Sequence, residues 1–251
     1  MVTFSLKDKI ALITGASRGI GEDIALTLAA QGAHCILVSR KIDELERVVK
    51  IIADQGGSAE AIACNMGELA QIESLMEQVK DKHGRLDVLV NNAAANPYFG
   101  EMINAEEWAW DKTHQVNLKG PFFMTKLGAK LMLEKGGSII NVSSVNGIRP
   151  APLQGIYSIT KAALISMTKA FAKELAAKNI RVNALLPGMT DTKFSSVIKE
   201  NKDVEKAVVA LIPLGRIAAP SEMSGAVLYL ASDASSYTTG SCITVDGGML
   251  A

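Results

Sequence analysis

The amino-acid sequence predicts an α/β fold, a doubly wound, parallel seven-stranded sheet with helices on both faces. Three observations lead there. Short β-branched runs recur from end to end, longer amphipathic segments separate them, and most of the runs are almost continuously apolar, as strands are when both faces are covered. Strand–helix alternation of this kind builds right-handed βαβ units. With 251 residues, 48% of them hydrophobic, the chain can bury a large core without disulfides or metals. No linker, repeat or low-complexity tract divides it, so residues 1–251 read as one domain.

Ile10–Thr14 is the first strand. Ile20, Ile24 and Leu28 then repeat at helical spacing, and Gly32 sits where a helix ends. His34–Ser39 is the second strand, and Leu45, Val48, Val49 and Ile52 mark a second helix closed by Gly56 and Gly57. Strands Ala59–Ala63 and Val88–Asn91 flank a helix over Leu69–His83. One long helix is expected over Glu107–Leu133, then strand Ser138–Val142, a helix over Ser158–Lys178 and strand Ile180–Leu186. Met189–Ile212 is expected to act as a lid, before a helix over Ser221–Ala231 and strand Cys242–Val245.

Charge excludes some functions. Lys and Arg total 26 and so do Asp and Glu, so no strong field gathers nucleic acid or anionic lipid. No run is long and apolar enough for a signal peptide or a bilayer span, which predicts a cytoplasmic protein. Cys35, Cys64 and Cys242 lie far apart in apolar settings and read as packing thiols. His34, His83 and His114 show no partner pattern, and no metal site is expected.

The first strand runs into Thr14-Gly15-Ala16-Ser17-Arg18-Gly19-Ile20-Gly21 and then a helix. Glycines let the backbone turn tightly against a pyrophosphate, whose charge rests on the helix N-terminal amides, so Gly15, Ser17, Arg18, Gly19, Ile20 and Gly21 are candidate dinucleotide contacts. The second strand indicates which dinucleotide. An acidic residue about 20 residues on from the glycines would take the ribose diol. Here the strand ends in Ser39-Arg40-Lys41, with no acid, and Arg40 with Ser39 suits the 2′-phosphate of NADP(H).

Tyr157 and Lys161 stand four apart at the start of a helix, on one face. A free phenol, with pKa near ~10, is a poor acid/base at neutral pH. A nearby ammonium is expected to lower it into the working range. Ser143 and Ser144 follow the strand Ser138–Val142, at the carboxyl end where open α/β sheets bind ligands.

With these motifs the sequence resembles the short-chain dehydrogenase/reductase family, in its ordinary-length branch, from Lys9 to Gly248. The glycine turn Thr14–Gly21, Asn91-Asn92-Ala93, the Tyr157/Lys161 pair and Val245-Asp246-Gly247-Gly248 all match. The resemblance implies a single-domain Rossmann fold and an NADP(H)-dependent oxidoreductase. It makes Ser144, rather than Ser143, the serine that binds the substrate oxygen. Tyr157 is the general acid/base, Lys161 holds the nicotinamide ribose, and Asn117 supports a water linked to Lys161. Asn65, Met66, Asn92 and Ala93 fall on cofactor positions, as do Pro187, Gly188, Thr190 and Thr192 in the segment that holds the nicotinamide. Two departures stand out: Ala94 replaces the usual glycine after Asn-Asn-Ala, and Asn65 replaces an aspartate that often contacts the adenine.

The Asn96-Pro97 step resembles the carbonyl reductase and retinol reductase branch of that family. A small-molecule carbonyl or secondary alcohol is the expected substrate, with Asn96, Ser144, Gln154 and Tyr157 its candidate contacts. Pro150, Ala151, Pro152, Leu153 and Ile156 suggest a mostly apolar pocket. Lys135 and Lys178 fall where acyl-carrier-protein ketoreductases of the family carry arginines, so a 3-oxoacyl-[acyl-carrier-protein] reductase is the alternative, although lysines at helix ends suit the dipole anyway. A homotetramer is the family expectation. A non-catalytic NADP-binding sensor and a hydrolase using Ser144 with Lys161 are the rivals of other classes, and the second would leave Arg40 and the glycine turn without a role.

Overall fold

The computed structural model describes residues 2–193 and 202–251. Seven parallel strands form one sheet in the order β3-β2-β1-β4-β5-β6-β7. They are β1 (Ile10–Thr14), β2 (His34–Ser39), β3 (Ser58–Ala63), β4 (Val88–Asn91), β5 (Gly137–Val142), β6 (Ile180–Pro187) and β7 (Cys242–Val245). The order reverses between β1 and β4, which opens a crevice at the carboxyl ends of those strands.

Alternation along each strand sends side chains to two cores. Ile13, Cys35, Leu37 and Val90 face α1 (Gly19–Ala30), α2 (Ile42–Asp54) and a C-terminal helix Ser224–Ala231. Leu12, Ile36, Val38 and Leu89 face α3 (Leu69–His83) and α5 (Gly120–Met132). Between these layers runs a chain of buried amides. Asn91 Nδ2 donates to Asn141 Oδ1 (2.9 Å) and Thr125 Oγ1 (3.1 Å), and Asn141 Nδ2 donates to Thr168 Oγ1 (2.9 Å). Partnered in this way they tie β4 and β5 to the helices on that face.

The expected long helix over Glu107–Leu133 is interrupted. It divides into α4 (Glu107–His114), a π turn (Gln115–Lys119) and α5. Two features act together there, one local and one from another loop. Pro121 has no N–H to return to the Asn117 carbonyl, and Gly120 lies so close to Met66 that a Cβ there would stand 2.4 Å from its carbonyl oxygen. The expected helix over Ser158–Lys178 starts earlier, as α6 (Gly155–Leu175), and ends in a 3-10 turn, Ala176–Lys178.

Within the expected lid, residues 194–201 lie outside the described residues. Thr190 bridges Ala218, and helix α7 (Lys202–Val209) follows. The C-terminal helix, α8 (Ser224–Ala231), is preceded by a 3-10 turn at Pro220–Met223.

Candidate active site

The glycine turn is built as a close-packed cradle. Gly15 (φ 68°) and Gly19 (φ 58°) take left-handed conformations, and a Cβ at Gly21 would stand 2.2 Å from the Gly15 carbonyl oxygen. Thr14 organises the turn: its hydroxyl donates to the Val90 carbonyl (3.3 Å) and accepts from the Asn92 and Ala93 amides (3.0 Å each). Asn92 Nδ2 donates to the carbonyls of Thr14 (2.9 Å) and Gly15 (3.2 Å), so Asn92 is a strut of the turn. Arg18 stands at the N-cap of α1 and makes no side-chain cap bond, which leaves first-turn amides free for an anion. Ser17 is buried, and Ile20 packs on the core beneath. A Cβ at Gly19 would lie 3.1 Å from Thr192, so the segment after β6 reaches the cradle.

At the end of β2 the polar groups are near-surface. Ser39 Oγ lies 3.3 Å from the Lys41 carbonyl and 3.4 Å from its amide. Glu44, on the first turn of α2, draws Lys41 to 3.2 Å and Arg18 to 4.0 Å. Arg40 is exposed and, among the described residues, forms no hydrogen bond or ion pair. Asn65 Oδ1 accepts from the Gly67 amide (3.1 Å), and Met66 beside it is buried.

The four expected catalytic residues converge at the carboxyl end of β5. Tyr157 is 7% exposed and Lys161 2%, and the Ser144 hydroxyl hydrogen-bonds the Tyr157 phenol. Lys161 Nζ donates to the Val142 carbonyl (2.7 Å) and lies 5.5 Å from the centroid of the Tyr157 ring. Ser143 is turned away, donating to the Lys161 carbonyl (2.8 Å), and the two serines therefore have different tasks. Ser144 Oγ accepts from the Asn146 amide (3.1 Å), which leaves its proton to donate. Asn117 is fully buried in the π turn, where its amide pairs with both backbone groups of Ala95 (2.8 and 2.9 Å) and reaches Thr160 Oγ1 (3.2 Å). Its side chain thereby positions the loop after β4 and the helix bearing Tyr157 and Lys161.

Proton affinities here depart from the expectation of a lowered phenol. Burial pushes Tyr157 up to about 12, against a smaller lowering by the Ser144 hydrogen bond, and burial brings Lys161 down to about 7. The physical reason is geometric. The ammonium is directed at the Val142 carbonyl and lies over the ring, and desolvation weakens its own charged form, so burial wins at the phenol. Tyr157 therefore keeps its proton at neutral pH.

Around this centre, Asn96 Nδ2 and Asn146 Nδ2 both approach Gln154 Oε1, at 3.4 and 3.3 Å. On the far side, Pro187 ends β6 in register with Val245, and the Gly188 amide donates to the Val245 carbonyl (2.9 Å). A Cβ at Gly188 would meet Asp246 at 2.6 Å, and Thr190 Oγ1 donates to the Gly188 carbonyl (3.1 Å). The arrangement combines a tight glycine turn, exposed basic side chains at the end of β2 and a buried phenol, all at the carboxyl ends of the strands.

Comparison with known proteins bears on this geometry. A family model described as enoyl-(acyl carrier protein) reductase matches residues 15–250. Dehydrogenase/reductase SDR family member 4 of Sus scrofa is 40% identical over 244 residues, covering 97% of this chain and 88% of that protein. The chain belongs to the short-chain dehydrogenase/reductase family. A 3-oxoacyl-[acyl-carrier-protein] reductase of Thermotoga maritima is 41% identical over 246 residues, covering 98% of this chain and 99% of its own. Among solved structures, a short-chain type dehydrogenase/reductase from Mycobacterium marinum superposes with a TM-score of 0.92 at 36% identity, over 98% of this chain and 97% of the other. A gluconate 5-dehydrogenase from Burkholderia cenocepacia J2315, in complex with NADP and tartrate, gives 0.94 at 30% identity over the same shares.

In this member of the family, several supporting residues went unnoticed in the sequence. Thr14 entered only as the first residue of the glycine motif, and the Asn146 amide that donates to Ser144 Oγ had no local signal. Arg47 of α2 pairs with Glu22 of α1 (2.6 Å) and donates to the Ser17 carbonyl (3.2 Å), bracing the glycine turn from outside. Its partner lies 25 residues away, so no local signal could have found it. Two of the three histidines also need correction. His34 and His83 converge on Glu60, whereas His114 stacks on Trp110, with ring centroids 3.9 Å apart, as a surface packing residue. Cys35 and Cys64 are buried free thiols whose pKa values burial pushes up to about 12 and about 11, and Cys242 is half-buried.

Proposed function

We propose that the protein is an NADP(H)-dependent oxidoreductase that moves hydride between the cofactor and a small carbonyl or secondary alcohol. The observation that carries this reading is the buried Tyr157 phenol, hydrogen-bonded to Ser144 beside Lys161 and set at the strand ends that also hold the glycine cradle. The residues fit the cofactor. Gly15, Gly19 and Gly21 keep the turn tight, and Arg40, exposed at the end of β2 with no acid beside it on the strand, suits a 2′-phosphate. When bound, NADPH supplies the hydride.

The chain's own residues do the rest. Ser144 donates a hydrogen bond to the carbonyl oxygen, Tyr157 protonates the developing alkoxide, and Lys161 supplies positive charge next to the phenol as its proton leaves. Asn117 is a positioning residue through Ala95 and Thr160. Asn96, Gln154 and Asn146 offer the polar contacts that orient the substrate. A coupled assay of NADPH and NADH oxidation, over aldehydes, aromatic ketones, α-diketones, retinal and a β-ketoacyl thioester, tests the reading. Turnover with NADPH well above NADH is expected, and binding of NADPH without turnover of any of them would overturn the enzymatic reading.

The second reading, reduction of an acyl group on carrier protein, is favoured by the Thermotoga maritima relative. Lys135 and Lys178 are exposed on adjoining loops, where the Gly137 amide donates to the Asn179 carbonyl (3.1 Å). Those loops open β5 and β6 at their amino ends, opposite to Tyr157, which favours a free small carbonyl for a single chain. A cytoplasmic location and a homotetramer complete the proposal, the assembly supported by exposed Trp110 on α4, Phe122 on α5 and Leu133 just beyond it. Light scattering that returned a monomer would remove the tetramer.

A further inference from the structure

His34, Glu60 and His83 meet at the amino-terminal end of the sheet, away from Tyr157 and the glycine cradle. His34 opens β2, Glu60 stands third in β3, and parallel register pairs His34 with Ser58 and Ile36 with Glu60, so His34 and Glu60 share a face. That face carries α3, whose last residue is His83. Both imidazoles approach the same carboxylate oxygen through Nε2: His34 at 3.4 Å from Glu60 Oε1 and His83 at 2.5 Å. His34 Nδ1 is held by Ser58 Oγ at 2.7 Å. Lys82 pairs with the other carboxylate oxygen.

We propose that His34, Glu60 and His83 form a binding site for one divalent transition-metal ion of the zinc class. The three candidate ligand atoms lie within 4.8 Å of one another. Tetrahedral zinc with bonds near 2.0–2.1 Å sets its ligands about 3.3 Å apart. The separation of His34 from Glu60 already meets that, and His83 has to withdraw by somewhat under an ångström. It lies at a helix end followed by Gly84 (φ 69°), where the chain has freedom to adjust. The Ser58 contact fixes the orientation of the His34 ring, as outer partners of ligating histidines do. Side chains between 12% and 26% exposed leave an open face for a water as fourth ligand. Two imidazoles and one carboxylate favour zinc, cobalt or nickel over magnesium or calcium, which prefer oxygen. The ion would clip the end of α3 to β3, an edge strand whose side chains are all half-buried or exposed.

Calorimetric titration of tag-free, EDTA-treated protein with zinc chloride tests the site, with the melting temperature followed in parallel. One-to-one binding that raises the melting temperature is expected, with no response to magnesium chloride. His34→Ala and His83→Ala should each abolish it, and Ser58→Ala should weaken it by about tenfold. Lys82→Gln removes a competing cation and should tighten binding, a gain that does not depend on a damaged variant. Absence of saturable zinc binding, or equal binding by the His34→Ala/His83→Ala double variant, would overturn the proposal. NADPH turnover is unchanged in all of these variants, so the outcome is independent of the proposed function.

Discussion

The two ends of the sheet treat ionisable groups in opposite ways. At the carboxyl ends, Lys161 and Tyr157 are buried with little compensation, and desolvation brings the amine down to about 7 and the phenol up to about 12. At the amino ends, Glu60 is surrounded by Lys82, His83 and His34, whose hydrogen bonds overcome its burial and hold the carboxyl at about 2. Pairing fixes a charge, whereas burial without a counter-charge leaves groups that exchange protons when something enters. The end proposed to carry the chemistry is the end where compensation is withheld.

The largest expected effect breaks the first half of that comparison. Tyr157→Phe removes the transferable proton, and turnover in the NADPH assay should fall by about 10²–10⁴-fold. Binding of NADPH, followed by fluorescence, should persist; wild-type turnover in the variant would mean that the proton comes from elsewhere. Next comes Arg40→Asp, which puts a carboxylate where the 2′-phosphate is proposed to bind. The ratio of kcat/KM for NADPH over NADH should drop by about tenfold to a hundredfold, and an unchanged ratio would remove Arg40 from the cofactor site.

The pH dependence follows from Lys161. With its pKa lowered from 10.5 to about 7, the ammonium is present below about 7 and lost above it. Reductive kcat/KM should be level below that pH and decline by about tenfold per unit above it, as one proton is lost; a flat profile from pH 6 to 9 would contradict this. Stability has its own sign. The unfolded chain holds the lysine proton up to 10.5 and the folded chain only up to about 7, so folding is favoured more as pH rises through that window. Lys161→Met should therefore raise the melting temperature more at pH 6 than at pH 10. The smallest effect is a null one at the other end: His83→Ala should change kcat/KM by less than about twofold, since distant sites act independently.

Strand positions and the cradle were legible because both rest on local rules. Apolar runs and glycines gave β1, β2, β4 and β7 to the residue, and β3, β5 and β6 to within one. What local rules could not give was set by contacts across the fold. The π turn depends on Met66 pressing on Gly120 from another loop, although Gly120-Pro121 inside an apparent helix was a readable warning. The proton affinities of Tyr157 and Lys161 required their burial and the direction of Nζ, neither of which i, i+4 spacing contains. The histidines escaped because β2, β3 and the end of α3 meet only in the folded sheet.

The π turn also sets a helical phase. A π turn accommodates one surplus residue within an otherwise α-helical run, so α4 is rotated about its axis by roughly 100° from where an unbroken helix would carry it. Deleting one residue in that turn would let the hydrogen bonds close into a continuous helix, but would swing Ala109 and Thr113 out of the interior and carry Trp108 and Trp110 to a different bearing. The chain can therefore keep its outer aromatic face and its inner Asn117 contact together only by retaining an irregularity that helix propensity alone would remove.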